Sequence, residues 1–299
     1  MTLDIPALDI PALAAEFREN GFVKIEGLFG PAELASLNAK TRDVLAGAAG
    51  IPGETKVFDV EESHRPEEPR IRRIKKPHEV DPLYREFAAF APLIEVLRGI
   101  IGPDIRLHHS KINLKSARFG SPLEWHQDWA FIPHSNMDLA IAAIMLDAVD
   151  EENGPMLVIP GSHKGGLLDH HGEDGWFAAA IDPDKLDLDA AVPLTGPPGT
   201  VSIHHPLLVH GSALNRSTRE RPLLFYEYAA ADAWPLFYGV EWGEYSSRMV
   251  AGEASAHLRL EAVPVKMPHP VRSGGSIYNN QRDLKRRFFE TYAEATTPA

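Results

Sequence analysis

Cysteine is absent from the 299 residues of this chain. No disulfide framework and no thiolate metal site can form, so any bound metal must be held by histidine, aspartate, glutamate or water. Positive charge is scarce too: 30 lysines and arginines stand against 42 aspartates and glutamates, a formal net charge of −12. A surface that tracks nucleic-acid phosphates is normally basic, so broad nucleic-acid binding is not expected. No apolar run approaches the roughly 18 residues of a bilayer-crossing helix, and no membrane contact is expected. The opening MTLDIPALDIPALAAEF is acidic and broken by proline, without the basic start and apolar stretch of a secretory signal. A cytoplasmic protein is the expectation. The echo LDIPALDIPAL is too brief for a solenoid repeat.

What is present is turn chemistry and histidine. The 25 prolines and 23 glycines favour a β-rich chain, and a single large domain is common at this length. Leu13 and Phe17 sit at helical spacing in residues 9–20, with Gly21 as the C-terminal cap. FVKIEGLF alternates like a strand, and Pro31 opens a helix to about Leu45. Residues 54–80 are polar and proline-punctuated. Their dense basic run, residues 70–76, reads as a solvated strand or loop, or as a cationic rim for an anionic substrate. From Pro82 to Ile101 the apolar spacing predicts one helix that packs on a sheet. Beyond Ile105, short apolar runs such as TVSIHH and PLLFYEYAA alternate with turns such as FGSP and GPPG, the pattern of an antiparallel sandwich or barrel. Residues 167–194 interrupt it with an insertion that is helical or a lid, and QRDLKRRFFETYAEA reads as a closing helix.

Chemistry concentrates in EWHQDWAF, residues 124–131. At strand periodicity Glu124, His126 and Asp128 share a face, so His126 and Asp128 can reach one metal ion, with a third ligand from elsewhere. Two histidines and one carboxylate leave positions open on an octahedral ion, which suits non-haem Fe(II). HHPLLVHGSALNRSTRERPLLFYEY adds His210 at the end of an apolar strand, Ser212 two residues on, and Arg221 at the start of the next strand. An arginine there can fork onto a carboxylate, with the serine as a second donor, as a bound dicarboxylate requires. Arg219 is the competing candidate.

FRENGFVKIEGLF, KINLK, WHQD, NGPMLVIPGSHKGG and HPLLVHGSALNRSTRERP together resemble the phytanoyl-CoA dioxygenase-like Fe(II)/2-oxoglutarate oxygenases, a family that includes ectoine hydroxylase, over most of residues 15–231. The resemblance implies a mainly β fold with flanking helices around a double-stranded β-helix, the jelly-roll or cupin-like core. On that basis residues 1–299 form one domain: a helical N-terminal support region (1–104), the jelly-roll (105–231) and a C-terminal extension (232–299). It implies His126, Asp128 and His210 as iron ligands, Arg221 and Ser212 at the distal carboxylate of 2-oxoglutarate, and Asn113 as a further contact of that co-substrate. Its chemistry uses Fe(II), 2-oxoglutarate and O2, hydroxylates an unactivated C–H bond and releases succinate and CO2. Asp128 argues against a halogenase, which replaces the carboxylate ligand. Leu123 and Lys111 stand where ectoine hydroxylase has an aromatic residue and an arginine, which argues against ectoine as substrate.

The expected partner is a small molecule, and the basic residues near the site favour an anion: a carboxylate, a phosphonate or an acyl-CoA. Lys111, His109 and Trp129 are the candidate substrate contacts, with core packing the competing role for Trp129 and Trp125. His204 and His205 are adjacent on a strand, so only one can point inward; neither is expected to be a ligand. A cupin-like hydrolase with zinc, or a non-catalytic 2-oxoglutarate or oxygen sensor, are the alternatives. No feature of the chain sets an oligomeric state.

Overall fold

Both ends of the first helix are written in its sequence. α1 (Ile10–Asn20) starts where the Asp9 carboxylate accepts the Ala12 amide at 3.1 Å, and stops at Gly21, whose φ of 80° is left-handed. A Cβ at Gly21 would also lie 2.4 Å from His163 Nδ1, so glycine is required there for space as well as for conformation. The computed structural model describes residues 7–237, 239–267, 276–282 and 284–296.

β1 (Phe22–Ile25) and α2 (Pro31–Ala46) follow as the pattern predicts. β2 (Phe58–Val60) and β3 (Ile71–Lys75) come next, so the basic run is a strand. After the short α3 (Pro77–Val80), the single helix expected from Pro82 is two: α4 (Pro82–Ala88) and α5 (Ala91–Ile101). The chain breaks at Ala89 and Phe90 because Pro92 has no N–H to continue the ladder from α4 and instead takes a place in the first turn of α5. β4 (Ile105–Lys115), β5 (Leu123–His126), β6 (Leu139–Met145), β7 (Met156–Val158), β8 (Val192–Leu194), β9 (Val201–His204), β10 (His210–Ser212) and β11 (Arg221–Ala230) form the middle of the chain. The insertion before β8 contains short 3-10 turns and no α-helix. The rest carries α6 (Trp242–Ser246), β12 (Met249–Ala251), α7 (Ile277–Asn280) and α8 (Tyr292–Thr296). Residues 284–290 are therefore not the closing helix expected. The Phe288 and Phe289 amides donate to the Glu124 carboxylate at 2.9 and 3.3 Å, and Phe289 packs on Trp125, a tertiary hold that overrides local propensity.

The strands pair antiparallel in two sheets: eight strands with the order β1-β9-β6-β11-β4-β3-β2 and β12 also on β4, and four with the order β5-β10-β7-β8. This is the mainly β, jelly-roll type of architecture expected. The sheets face each other, and Ile141, Met145, Leu223 and Phe225 of the large sheet pack with Met156, Val158 and Leu194 of the small one. Alternation along each strand sets what lies inside. On β4, Ile112 and Leu114 turn outward to the helices, while Lys111 and Asn113 turn toward the small sheet. α1, α2, α4 and α5 cover the outer face, with Leu93, Ile94, Leu97 and Ile101 of α5 buried against it. Each such side chain contributes about 1.5–3 kcal/mol by leaving water. Among the described residues no helix is long and apolar enough to cross a membrane.

Leu97 is fully buried in this layer. Leu97→Ala should lower the unfolding free energy by about 2–5 kcal/mol in a urea titration.

Candidate metal centre

Strand pairing in the small sheet creates the centre. His210 on β10 lies directly across from His126 on β5, and the two rings approach to 4.1 Å between centroids. The next pair is Ser212 with Leu123, so three residues of β5 from Leu123 answer two of β10. This β-bulge cancels the simple alternation. Leu123 and His126 both line the cavity, whereas Glu124 turns away to hold the Phe288 and Phe289 amides. The shared face expected for Glu124 and His126 is thereby corrected.

Asp128 reaches the cavity by another route than the strand expected of it. β5 ends at His126, and Asp128 begins a 3-10 turn in which its carbonyl accepts the Phe131 amide at 2.8 Å while the Trp129 amide is taken by Pro206 O at 2.9 Å. His126, Asp128 and His210 are all buried, and one potential ligand atom from each lies within 4.8 Å of the others. His126 Nε2 is 3.9 Å from Asp128 Oδ1, and His210 Nε2 is 3.7 Å from Asp128 Oδ2.

Both imidazoles are prepared for a cation. The backbone carbonyls of Glu124 and Leu208 lie 2.7 and 2.9 Å from Nδ1 of His126 and His210, which places the proton on Nδ1 and the lone pair on Nε2, facing Asp128. Burial, then the nearby His210 ring, holds His126 well below the ordinary histidine range, and burial takes His210 to about 4. Both are neutral at pH 7, the form that binds metal. For Asp128 burial opposes ionisation, but Lys111, His210 and His204 outweigh it and keep the carboxyl ionised.

Two further residues, His204 and Gln127, brace the site. His204 Nε2 donates to Asp128 Oδ2 at 2.9 Å, which fixes the carboxylate. His204 is the inward-facing member of the 204/205 pair, and its signal in the sequence was strand alternation alone. Gln127 is fully buried and its side chain ties Leu168 N, Gly166 O and Leu207 O together, while its amide donates to His170 Nε2 at 2.9 Å. These contacts pin the insertion against the residue between two candidate ligands, and they join segments too far apart in sequence to be read from spacing.

The triad opens into a cavity of about 110 Å³, lined on its other sides by Arg73, Lys111, Asn113, Ser212 and Arg221 with apolar walls that include Phe131 and Phe225. Arg221 is buried, and burial lowers its pKa to about 10, so it keeps its charge. No carboxylate pairs with it among the described residues, and its Nε and the Ser212 hydroxyl are buried without partners. Arg219, the competing arginine, is half-exposed and pairs with Asp150. Asn113 lines the cavity and accepts from Arg73 Nε at 3.0 Å. Lys111 donates to Glu227 at 2.8 Å. Burial works against both charges of that pair, yet each partner answers the other: Lys111 is raised, and Glu227 is held to about 2. His109 lies off the metal cavity, in a neighbouring one. Trp129 is fully buried and lines neither of these two cavities.

Asp128→Ala should abolish tight Co(II) binding in an anaerobic spectroscopic titration. His204→Leu should weaken it by roughly 10–100-fold, the usual effect of losing a residue that orients a ligand.

The chain is similar to several known proteins. The chain is 38% identical over 284 residues to a "Probable alpha-ketoglutarate-dependent hypophosphite dioxygenase" of Stutzerimonas stutzeri, covering 92% of this chain and 98% of that protein. It is 30% identical over 271 residues to the ectoine dioxygenase of Sphingopyxis alaskensis, covering 84% and 86%. The crystal structure of EctD from S. alaskensis with 2-oxoglutarate and 5-hydroxyectoine superposes with a TM-score of 0.63 at 26% identity, over 87% of this chain and 89% of that one. The profile of phytanoyl-CoA dioxygenase (PhyH) matches residues 17–223, a span that takes in the triad, Ser212 and Arg221, and the chain belongs to that family.

Proposed function

We propose that this family member is an Fe(II)- and 2-oxoglutarate-dependent dioxygenase that hydroxylates a C–H bond of a small anionic molecule and releases succinate and CO2. The observation that carries the reading is Arg221, a buried guanidinium without a carboxylate partner among the described residues, in the same cavity as two imidazoles and a carboxylate. A buried cation left without a counter-charge is costly, and a diacid co-substrate would supply one. The unpartnered Ser212 hydroxyl adds a donor for the same carboxylate. A zinc hydrolase built on this triad would leave both groups without purpose.

The donor set of two neutral imidazoles and one carboxylate, with no sulfur, fits ferrous iron. Iron with 2-oxoglutarate and O2 supplies the oxidising chemistry. The chain's own part is placement. His126, Asp128 and His210 would hold the metal, and the His204 hydrogen bond fixes the Asp128 carboxylate. Arg221 and Ser212 bind the far carboxylate of the co-substrate, with Asn113 beside it. Phe131 and Phe225 line the cavity and would exclude water from the reacting end. Lys111 and Arg73 stand on the cavity wall as cations for an anionic substrate. Hypophosphite is a second candidate, favoured by the name of the 38% relative, and it is also a small anion.

Fe(II)-dependent succinate release should vanish in Asp128→Ala; full turnover in that variant would remove Asp128 from the ligand set. In Arg221→Leu, half-saturation by 2-oxoglutarate should need on the order of a hundredfold more co-substrate, as expected for truncating one side of a buried charge pair. Across a panel of small molecules, anions including hypophosphite should raise succinate release above the uncoupled background. Neutral compounds that outperform every anion would overturn the substrate class.

A further inference from the structure

A second cavity, of about 440 Å³, lies against the same sheet and shares Arg73 and Lys111 with the metal cavity. Glu227 and His109, which face each other across β11 and β4, line it together with His108 and Tyr245. Most charges at its rim are answered by protein. Lys76 pairs with Glu79 at 3.1 Å, Arg248 pairs with Glu244, and the Glu241 carboxylate caps the amides of Gly243 and Glu244. Two are not. Arg73 reaches the Asn113 side chain, but its nearest carboxylate, Asp59, is 4.0 Å away and already bound to Lys75 at 2.9 Å. Glu227 is only 3% exposed, and although Oε1 accepts from Lys111, its Oε2 is buried with no donor at all.

Buried carboxylate oxygens are rarely left without a hydrogen-bond donor, so an orphan on a residue that lines a cavity is a mark of what the cavity receives. Here the orphan acceptor sits beside a loosely paired guanidinium and an ammonium group. One small molecule satisfies all three if it carries an anionic group for Arg73 and Lys111 and a positively charged N–H donor for Glu227. We infer that the primary substrate is a short zwitterion, held by its acid end at Arg73 and Lys111 and by its amine end at Glu227. The inference rests on the dioxygenase reading for its statement that the bound molecule is the substrate. Hypophosphite at neutral pH has no donor for Glu227, so it meets only half of the site.

The test uses matched pairs: 3-aminopropionate, 2-aminoethylphosphonate and 2-aminoethanesulfonate, each beside the same acid with hydrogen in place of the amine. Binding is measured by calorimetry on the full chain loaded with Fe(II) and 2-oxoglutarate without oxygen. In at least one pair the amine should bind tenfold or more tightly than its partner, and Glu227→Gln should erase that preference. Equal binding within every pair means that water answers Glu227 and overturns the inference, as does failure of all three amines to bind. The comparison within a pair is made on the wild-type chain, so it stands even where the variant does not fold. Succinate release without added substrate, measured on the same preparation, separates the two ideas. Its absence alongside an intact amine preference condemns the dioxygenase reading, whereas its presence without an amine preference condemns the zwitterion.

Discussion

One strand pairing carries the rest of the site: His210 against His126 across β10 and β5. Antiparallel register puts the two imidazoles on one face of the small sheet, and the adjacent bulge sends Glu124 outward while keeping Leu123 and His126 inward. A slip by one residue would turn the ligands to the wrong face. Contacts that lock this register therefore act on the metal site without touching it. Gln127 ties the chain between two candidate ligands to three separate segments, and Glu124 ties the outer side of β5 to Phe288 and Phe289.

The second constraint is electrostatic. The inner face of the large sheet brings Lys111, Glu227, Arg73 and Arg221 into an interior that also holds Asp128. Buried charges are costly unless partnered, and most here are partnered: Lys111 by Glu227, Asp128 by His204. Arg221 and the second oxygen of Glu227 are the exceptions, and each belongs to a residue that lines a cavity. The apolar side of the same sheet, packed under four helices, supplies the stability that lets these groups stay unpaired until ligands arrive.

Much of this was legible along the chain, where a residue's role depended on near neighbours. Gly21 and Asp9 cap α1, and alternation with turn residues announced the antiparallel core. Arg221 could be preferred over Arg219 because it opens an apolar strand while Arg219 sits in the turn, and the structure has one buried and the other paired at the surface. Errors came where long-range contacts overrode local pattern. The expected closing helix gave way because Phe288 and Phe289 are held by Glu124, and Asp128 sits on a 3-10 turn where a strand was expected.

The linear order of residues determined the element types, the chemical identity of the donors and the absence of thiolate, because these follow from side-chain chemistry and from periods of two and 3.6 residues. Which groups meet was decided by the tertiary structure alone. The bulge in β5, the His204 hydrogen bond to Asp128, and the cavity that joins Arg73 to Glu227 all arise from strands remote in sequence, and no local spacing encodes the register in which such strands pair.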